Sequence, residues 1–234
     1  MTAGVVADAP VARLASLPGV STASGVAKTA EHAQATGGVL PVLPELAGLF
    51  PTTGLRRGST VAVLGSTSLL LALLAGATAN GAWAAVVGVP ALGLVAASEF
   101  GVEVGRLALV PKPGADFAAV TAALLEGIDV VAVGGIQVNP QVARRLSARA
   151  RHRGAVLLSF GGWPGAELEL RCEPGEWAGL KRGRGRLRAR DVVVRTQGRG
   201  ASSRPQRDEL LLPGPSGKTA RLERTVPLRA LEVG

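Results

Sequence analysis

The sequence predicts an α/β fold with a mostly parallel sheet, helices on both faces and a C-terminal antiparallel β extension. Between Thr60 and Phe160, short β-branched runs alternate with longer helical runs, which is the order of a parallel sheet with crossover helices. Beyond Gly161 the helical runs stop, and short segments with alternating polarity follow, as in antiparallel strands. The 234 residues are enough for one sizeable domain of this kind.

The stretch from Gly58 to Ser98 contains no charged residue. Two membrane helices are the competing explanation, since each would need about 20 apolar residues. The run Leu69–Ala75 is too short to span a bilayer, and Gly, Asn and Pro residues interrupt the stretch at intervals typical of turns. Parallel strands covered on both faces are also continuously apolar. We therefore expect no membrane segment, but a strand (Thr60–Leu64), a loop (Gly65–Ser68), a helix (Leu69–Ala79) and a second strand (Ala84–Val89).

The other elements follow from hydrophobic periodicity. Residues 39–57 form a predicted lead-in in which Leu46, Leu49 and Phe50 share one face of a helical turn. Core strands are predicted at 106–110, 129–133 and 155–160, and helices at 92–100, 115–126 and 140–152. Extension strands are predicted at 167–172, 184–195, 209–212 and 220–222. The predicted organisation is a flexible N-terminal arm (1–38), a core (39–165), and a basic β extension with a partner-binding tail (166–234).

The net charge of +9 is unevenly distributed. Residues 1–143 carry six Lys or Arg and eight Asp or Glu, whereas residues 144–234 carry twenty and nine. This asymmetry predicts an acidic partner for the C-terminal part, although an Arg-rich composition could produce it without a function. The single Cys172 and two distant His residues offer little for metal binding or His-dependent catalysis, so no cofactor is expected. The N-terminal segment shows no signal-peptide pattern, which predicts a cytoplasmic protein.

The densest basic segment is residues 181–204, where nine Lys or Arg residues accompany the single acid Asp191. Guanidinium groups form paired hydrogen bonds with phosphates or carboxylates, so the segment predicts a contact with DNA or with a protein. In a regular strand, alternate Arg residues share one face, and Leu187 and Ala189 take the other. A solvated sheet edge without a partner is the alternative. The predicted binding residues are Arg182, Arg184, Arg186, Arg188, Arg190, Arg195 and Arg199.

Weaker candidates receive structural interpretations. Cys172 is expected to be buried in a strand, Trp163 and Trp177 to pack in a core or interface, and Glu167 and Glu169 to be exposed rather than catalytic. The segment GPSGKT (214–219) looks like the end of a phosphate-binding loop, but the required earlier glycine is replaced by Leu212. We therefore predict a turn between strands there.

The sequence also resembles that of a known protein family. Residues 106–135, RLALVPKPGADFAAVTAALLEGIDVVAVGG, together with TVAVLG upstream and AVLLSF downstream, are similar to the RecA core, and the similarity covers roughly residues 39–160. With the Arg-rich segment RGRGRLRARDVVVRTQGRG, the chain resembles the actinobacterial ImuA-prime family. This resemblance implies a RecA-like fold and a role in DNA-damage-induced translesion synthesis. It implies as partners an ImuB-like Y-family-type protein and, through it, an error-prone DNA polymerase.

The catalytic residues of a RecA-type ATPase do not carry over. Counting from Gly65, Leu71 and Ala72 occupy the positions of the phosphate-loop Lys and Thr. Pro90 stands near the place of the Glu that activates water, and Gly134 replaces the magnesium-linked Asp. These departures predict that the chain is not an enzyme.

The leading hypothesis is a non-catalytic RecA-like accessory or adaptor protein that binds ImuB, DNA or both. A RecA-fold inhibitor of cell division, which would bind a division GTPase, is the alternative, and an ATPase with an unorthodox loop comes third. The resemblance also implies a C-terminal docking surface for ImuB formed by Leu210–Leu212, Leu222, Val226 and Leu228.

Overall fold

The computed structural model describes residues 38–135, 137–181, 184–200 and 204–222, and of Lys181 only the backbone. The predicted N-terminal arm lies outside the described residues, apart from Gly38, as do Arg182, Val226 and Leu228. The described residues from Val39 onward belong to one compact unit.

Eleven strands and four α-helices occur in this part of the chain. The strands are β1 (Val39–Pro41), β2 (Gly54–Arg56), β3 (Thr60–Leu64), β4 (Ala84–Val87), β5 (Leu107–Val110), β6 (Val130–Gly134), β7 (Val156–Phe160), β8 (Leu168–Lys181), β9 (Arg184–Gly198), β10 (Arg207–Leu211) and β11 (Ala220–Arg221). The helices are α1 (Thr67–Ala79), α2 (Leu94–Glu99), α3 (Phe117–Leu124) and α4 (Pro140–Arg153).

Nine strands form one sheet in the order β11-β10-β9-β8-β3-β7-β6-β4-β5. The six strands from β8 to β5 are parallel to one another, and β9, β10 and β11 add to the edge of β8 as antiparallel neighbours. The predicted α/β class with a mostly parallel sheet is confirmed. The described residues of the predicted C-terminal extension form antiparallel strands.

The sheet separates two apolar cores, because side chains alternate across each strand. Val61 and Val63 of β3 belong to the core that contains α1, whereas Ala62 belongs to the core beneath α3 and α4. Helices therefore cover both faces, as predicted, and the central strands are apolar throughout because neither face meets water.

Helix α1 is buried on all sides and accounts for the uncharged stretch. Ser66 caps it by accepting a hydrogen bond from the Leu69 amide at 3.2 Å. The residues from Leu69 to Thr78 are all buried, between the sheet and the lead-in segment. The lead-in crosses so closely that a Cβ added at Gly76 would lie 2.5 Å from the Val42 Cα. Among the described residues no helix is long and apolar enough to cross a membrane.

The lead-in segment contains a small antiparallel hairpin of β1 and β2 that the sequence did not predict. A 3-10 turn at Ala47–Leu49 lies between the two strands. Leu46, Leu49 and Phe50 are buried together, so the predicted apolar face is confirmed.

The antiparallel extension shares its core with the parallel strands. Val192 and Val194 of β9 pack in the same cluster as Val61. Leu210 and Leu212 are 0% and 1% exposed and belong to this cluster too. The prediction that these two leucines dock a partner is therefore wrong, because their side chains are already buried inside the protein.

Candidate functional site

The loop after β3 is the position at which a RecA-type ATPase would bind phosphates, and here it is very short. Gly65, with φ of +88°, and Ser66 are the only residues between β3 and α1, so the helix begins two residues earlier than predicted. Leu71 and Ala72, at the expected Lys and Thr positions, are buried within α1 at 3% and 0% exposure.

Strand β8 occupies the space beside this loop. Leu64 pairs with Arg171, and the next residue of β8 lies directly against Gly65. A Cβ added at Gly65 would overlap the Cys172 carbonyl oxygen. A phosphate cradle needs free amide groups facing an open space. At Gly65, which is itself exposed, the backbone of Cys172 takes up the direction in which a side chain would project.

The carboxyl ends of β4, β6 and β7 are equally crowded. A Cβ at Gly134 would lie 2.8 Å from the Val89 Cγ2 and 3.2 Å from the Phe160 Cβ, so a side chain there would require Val89 to move. The backbones at Gly88 and at Gly134–Gly135 also lie close together. A Cβ added at Gly88 would overlap the Gly134 carbonyl oxygen, and a Cβ added at Gly135 would overlap the Gly88 carbonyl oxygen. Within the described residues, no group of three His, Cys, Asp or Glu side chains is placed to hold a metal ion.

The GPSGKT segment forms a turn, as predicted. It connects β10 to β11, with the Gly214 amide donating to the Lys218 carbonyl at 2.7 Å. Thr219 is followed by the short strand β11 rather than by a helix. Its geometry therefore differs from that of a phosphate-binding loop.

Cys172 is 4% exposed, which confirms its predicted burial. Loss of solvation raises the pKa of its thiol, and the contact with Ser66 opposes the rise. The thiol is therefore protonated at neutral pH, and a protonated, buried thiol is a poor nucleophile.

The main basic feature is a two-stranded antiparallel ribbon, here called the basic ribbon, made of residues 173–181 and 184–190. Strand β8 pairs with β3 only as far as Arg171, and β9 pairs with β10 only from Asp191. Arg190 still exchanges backbone hydrogen bonds with Leu212 and Pro213. From Ala189 back to Arg184 the strand β9 pairs with β8 alone, over roughly 20 Å if each residue adds about 3.3 Å. Residues 173–180 and 184–188 are all exposed.

Two register shifts bend the basic ribbon. One lies between Pro174 and Trp177, and the other between Ala178 and Leu180. At the second shift Gly179 has a φ of +110°. The strands approach so closely there that a side chain at Gly179 would overlap the Arg186 carbonyl oxygen. The regular alternation expected for this segment is therefore interrupted, and Leu187 is 51% exposed.

The predicted Arg residues divide into three groups. Arg184, Arg186 and Arg188 are exposed on the basic ribbon and have no ion-pair partner among the described residues. Arg190 is half-buried, and its guanidinium lies 5.3 Å from the Trp177 ring centroid. Of the others, Arg195 lies farther along β9, Arg199 directly follows the end of β9, and Arg182 is outside the described residues.

Arg195 belongs to a separate set of compensated charges. It lies opposite Arg171 on one side and Arg207 on the other, so three arginines are neighbours across β8, β9 and β10. Each has its own carboxylate at 2.9 Å: Glu169 for Arg171, Glu173 for Arg195 and Glu209 for Arg207. Like charges that face each other across strands repel, and the interleaved carboxylates offset this repulsion. For two of the three pairs, Glu169–Arg171 and Arg207–Glu209, the spacing of two residues was the sequence signal.

The remaining predicted residues are structural. Trp163 is 6% exposed, and its Nε1 donates to the Ser147 hydroxyl at 3.0 Å, so its predicted packing role is confirmed. Glu167 is only partly exposed, since it pairs with Arg56 and Arg151. Glu169 pairs with Arg171.

The sequence analysis missed the apolar residues of the basic ribbon. Trp177, Leu180 and Leu187 are 42%, 49% and 51% exposed and accompany the unpaired arginines. Their signal was visible as apolar residues between charges, but Trp177 was expected in a core or interface, and Leu187 was placed only on the strand face opposite the arginines.

The fold and site define a class of α/β protein with a mostly parallel sheet, crowded phosphate-loop and metal positions, and a projecting basic ribbon. A family model described as the MT3502 N-terminal domain matches residues 48–165, and the chain belongs to this family.

Two individual proteins show the extent of the similarity. The chain is 46% identical over 115 residues to uncharacterized protein Rv3395c of Mycobacterium tuberculosis, covering 47% of this chain and 56% of the relative. The chain thus spans little more than half the length of that relative. Among solved structures, the flagellar accessory protein FlaH from Methanocaldococcus jannaschii is similar with a TM-score of 0.46 and 14% identity, over 69% of this chain and 87% of FlaH.

Proposed function

We propose that the protein is a non-catalytic RecA-like accessory or adaptor protein of DNA-damage-induced translesion synthesis, with an ImuB-like protein as its partner. The observation that carries this proposal is the packing of the Cys172 carbonyl against Gly65. This contact blocks a side chain at Gly65 and supports a role for the parallel sheet as a platform rather than as a nucleotide site. The resemblance to the actinobacterial ImuA-prime family supplies the biological role, and the similarity to a mycobacterial protein is consistent with an actinobacterial family.

The absence of ATP chemistry is part of this proposal. Phosphoryl transfer depends on positioning and on charge stabilisation by a Lys, a metal ion and a water-orienting group. Leu71, Pro90 and Gly134 supply none of these, and Val89 and Phe160 crowd the side-chain direction at Gly134. Binding of Mg-ATP, measured by calorimetry at millimolar nucleotide, is expected to be undetectable. Hydrolysis that disappears on substitution of Gly65 or Lys218 would refute the proposal and favour an ATPase.

The partner is tested by co-purification from cells exposed to DNA damage. We expect the full chain to capture the ImuB-like protein and, through it, the error-prone polymerase. Capture of a division GTPase in place of these proteins would reject this role and favour the cell-division inhibitor.

The site of the partner is tested by truncation. Because β9 and β10 contribute Val192 and Leu210 to the main core, removal of residues 181–234 would disrupt folding and could not isolate a binding surface. Removal of residues 223–234 leaves all described strands in place. Loss of ImuB capture in the chain 1–222, with unchanged thermal stability, is the expected result for a C-terminal binding tail. Retained capture would place the contact elsewhere.

A further inference from the structure

The basic ribbon places three exposed arginines without ion-pair partners close together on one strand. Eight arginines of the described chain pair with carboxylates, and they lie on the lead-in, on α4 and on the main sheet. On the basic ribbon, Arg184, Arg186 and Arg188 have no such partner although they stand within five residues of one strand. Their mutual repulsion is therefore uncompensated inside the protein, which favours an external anion.

Charge is also segregated along the basic ribbon. The acids Glu173 and Glu176 lie on the half next to the sheet, and Glu173 is engaged by Arg195. The far half, from Trp177 to the end of β8 and from Arg184 to Ala189, contains no acidic residue. An anionic ligand would thus meet an uninterrupted positive potential there.

The shape of the basic ribbon distinguishes between anionic partners. Consecutive residues of a strand point to opposite faces, and residues 184–188 are all exposed, so both faces are open. A flat protein surface covers one face of a strand pair, whereas a groove surrounds it. The major groove of duplex DNA is about 12 Å wide and admits a two-stranded β-ribbon. Exposed Leu187 offers the apolar contact that thymine methyl groups accept.

The aromatic content argues against single-stranded DNA as the ligand. Binding of single strands uses several aromatic platforms on which successive bases stack. On the described part of the basic ribbon Trp177 is the only aromatic residue, and the guanidinium of Arg190 lies over its ring.

We propose that the basic ribbon binds duplex DNA in the major groove, with Arg184, Arg186 and Arg188 on phosphates. The inference rests on the proposed function, since an adaptor of translesion synthesis works at a DNA template, and it assigns DNA rather than protein to this surface. Phosphate contacts of this kind give affinity without sequence preference.

The test measures fluorescence anisotropy of a labelled duplex of about 30 base pairs, a length typical of protein sites. The full chain is compared with R184Q/R186Q/R188Q and with the charge-matched control R144Q/R145Q/R221Q, whose exposed arginines also lack ion pairs in the described chain. The slope of log Kd against log salt is expected to fall by about 2.7 in the ribbon variant, since each lost phosphate contact removes about 0.9. The control should keep the slope of the unmodified chain.

Equal slopes in the two triple variants would overturn the inference, because binding would then depend on total charge alone. Competition by a minor-groove ligand such as distamycin would overturn the major-groove assignment, as would tighter binding to a single strand of the same length. Thermal unfolding of each variant verifies that the fold is intact.

The experiment uses purified protein and DNA, so it fails or succeeds independently of ImuB. If the ribbon variant keeps DNA binding but loses ImuB capture, the basic ribbon is a protein surface and this inference is refuted while the proposed function stands. If the full chain binds duplex DNA through the ribbon but captures no ImuB, the proposed function fails and the inference stands.

Discussion

Replacement of Gly65 by alanine tests whether β8 closes the phosphate-loop position. The new Cβ carries two costs: a φ of +88° that an L-residue rarely adopts, and an overlap with the Cys172 carbonyl oxygen. The conformational cost is about 1–2 kcal/mol, and forcing a group into a packed contact adds about 1–3 kcal/mol. Alanine also lowers the conformational entropy of the unfolded chain, which offsets about 0.4–1 kcal/mol of this loss. We expect a net loss of about 3 kcal/mol.

Gly81 provides a matched control, because its φ is +90° and nothing lies within 4 Å of an added Cβ. Gly81→Ala should therefore carry only the conformational cost, a net loss of about 1 kcal/mol. At about 2–4 °C per kcal/mol for a chain of this size, Tm should fall by roughly 6–12 °C for Gly65→Ala and by roughly 2–4 °C for the control. Urea unfolding gives the free energies directly. Equal losses in the two variants would refute the conclusion that β8 fills this position.

Two further predictions concern buried polar groups. Asp129 accepts hydrogen bonds from the Arg57 guanidinium and the Trp83 amide, both at 2.9 Å. Asp129→Ala leaves the largely buried guanidinium of Arg57 without its carboxylate and should lower the free energy of unfolding by about 3 kcal/mol. Glu126→Ala, which breaks more exposed pairs with Arg149 and Arg153, should lower it by much less, and similar losses in urea unfolding would contradict this difference. Cys172 should react slowly with a thiol reagent in the native protein and rapidly in urea, and equal rates would exclude its burial. Burial raises the pKa of this thiol, so the folded state holds the proton more tightly than the unfolded state does. The contribution of the protonated thiol to stability is therefore full below the unfolded pKa near 9.0 and declines as the pH rises above it. A Tm difference between the native chain and Cys172→Ala that stays unchanged across that range would count against the shift.

Much of the parallel core could be predicted because its signals are local. The β-branched run Thr60–Leu64 and the Pro140 that begins α4 mark their elements through side-chain branching and a fixed φ, which do not depend on distant contacts. The hairpin of β1 and β2 was not predictable in this way, since its three-residue strands, one of them ending in Pro41, carry too little periodicity.

The candidate site depended more on tertiary structure. The sequence indicated which catalytic side chains are missing, but the packing of Cys172 against Gly65 joins residues far apart in the chain and leaves no local pattern. The extension of β8 beyond Cys172 was also missed, because Pro174 and Gly175 look like the end of a strand. Leu210 gave the opposite error: an apolar run near charged residues was interpreted as a docking surface, and only the pairing of β10 with β9 shows that it is buried.

The position of β3 in the sheet has a consequence for how the chain folds during synthesis. Thr60 pairs with Leu157 and Val61 with Leu168, so both neighbours of the central strand are made roughly 100 residues after it. A nascent chain that ends before Val156 carries β3 and the uncharged helix α1 with no strand on either side of β3. Strands β4, β5 and β6 can pair with one another before that point, whereas β3 lacks both of its neighbours until β8 has left the ribosome.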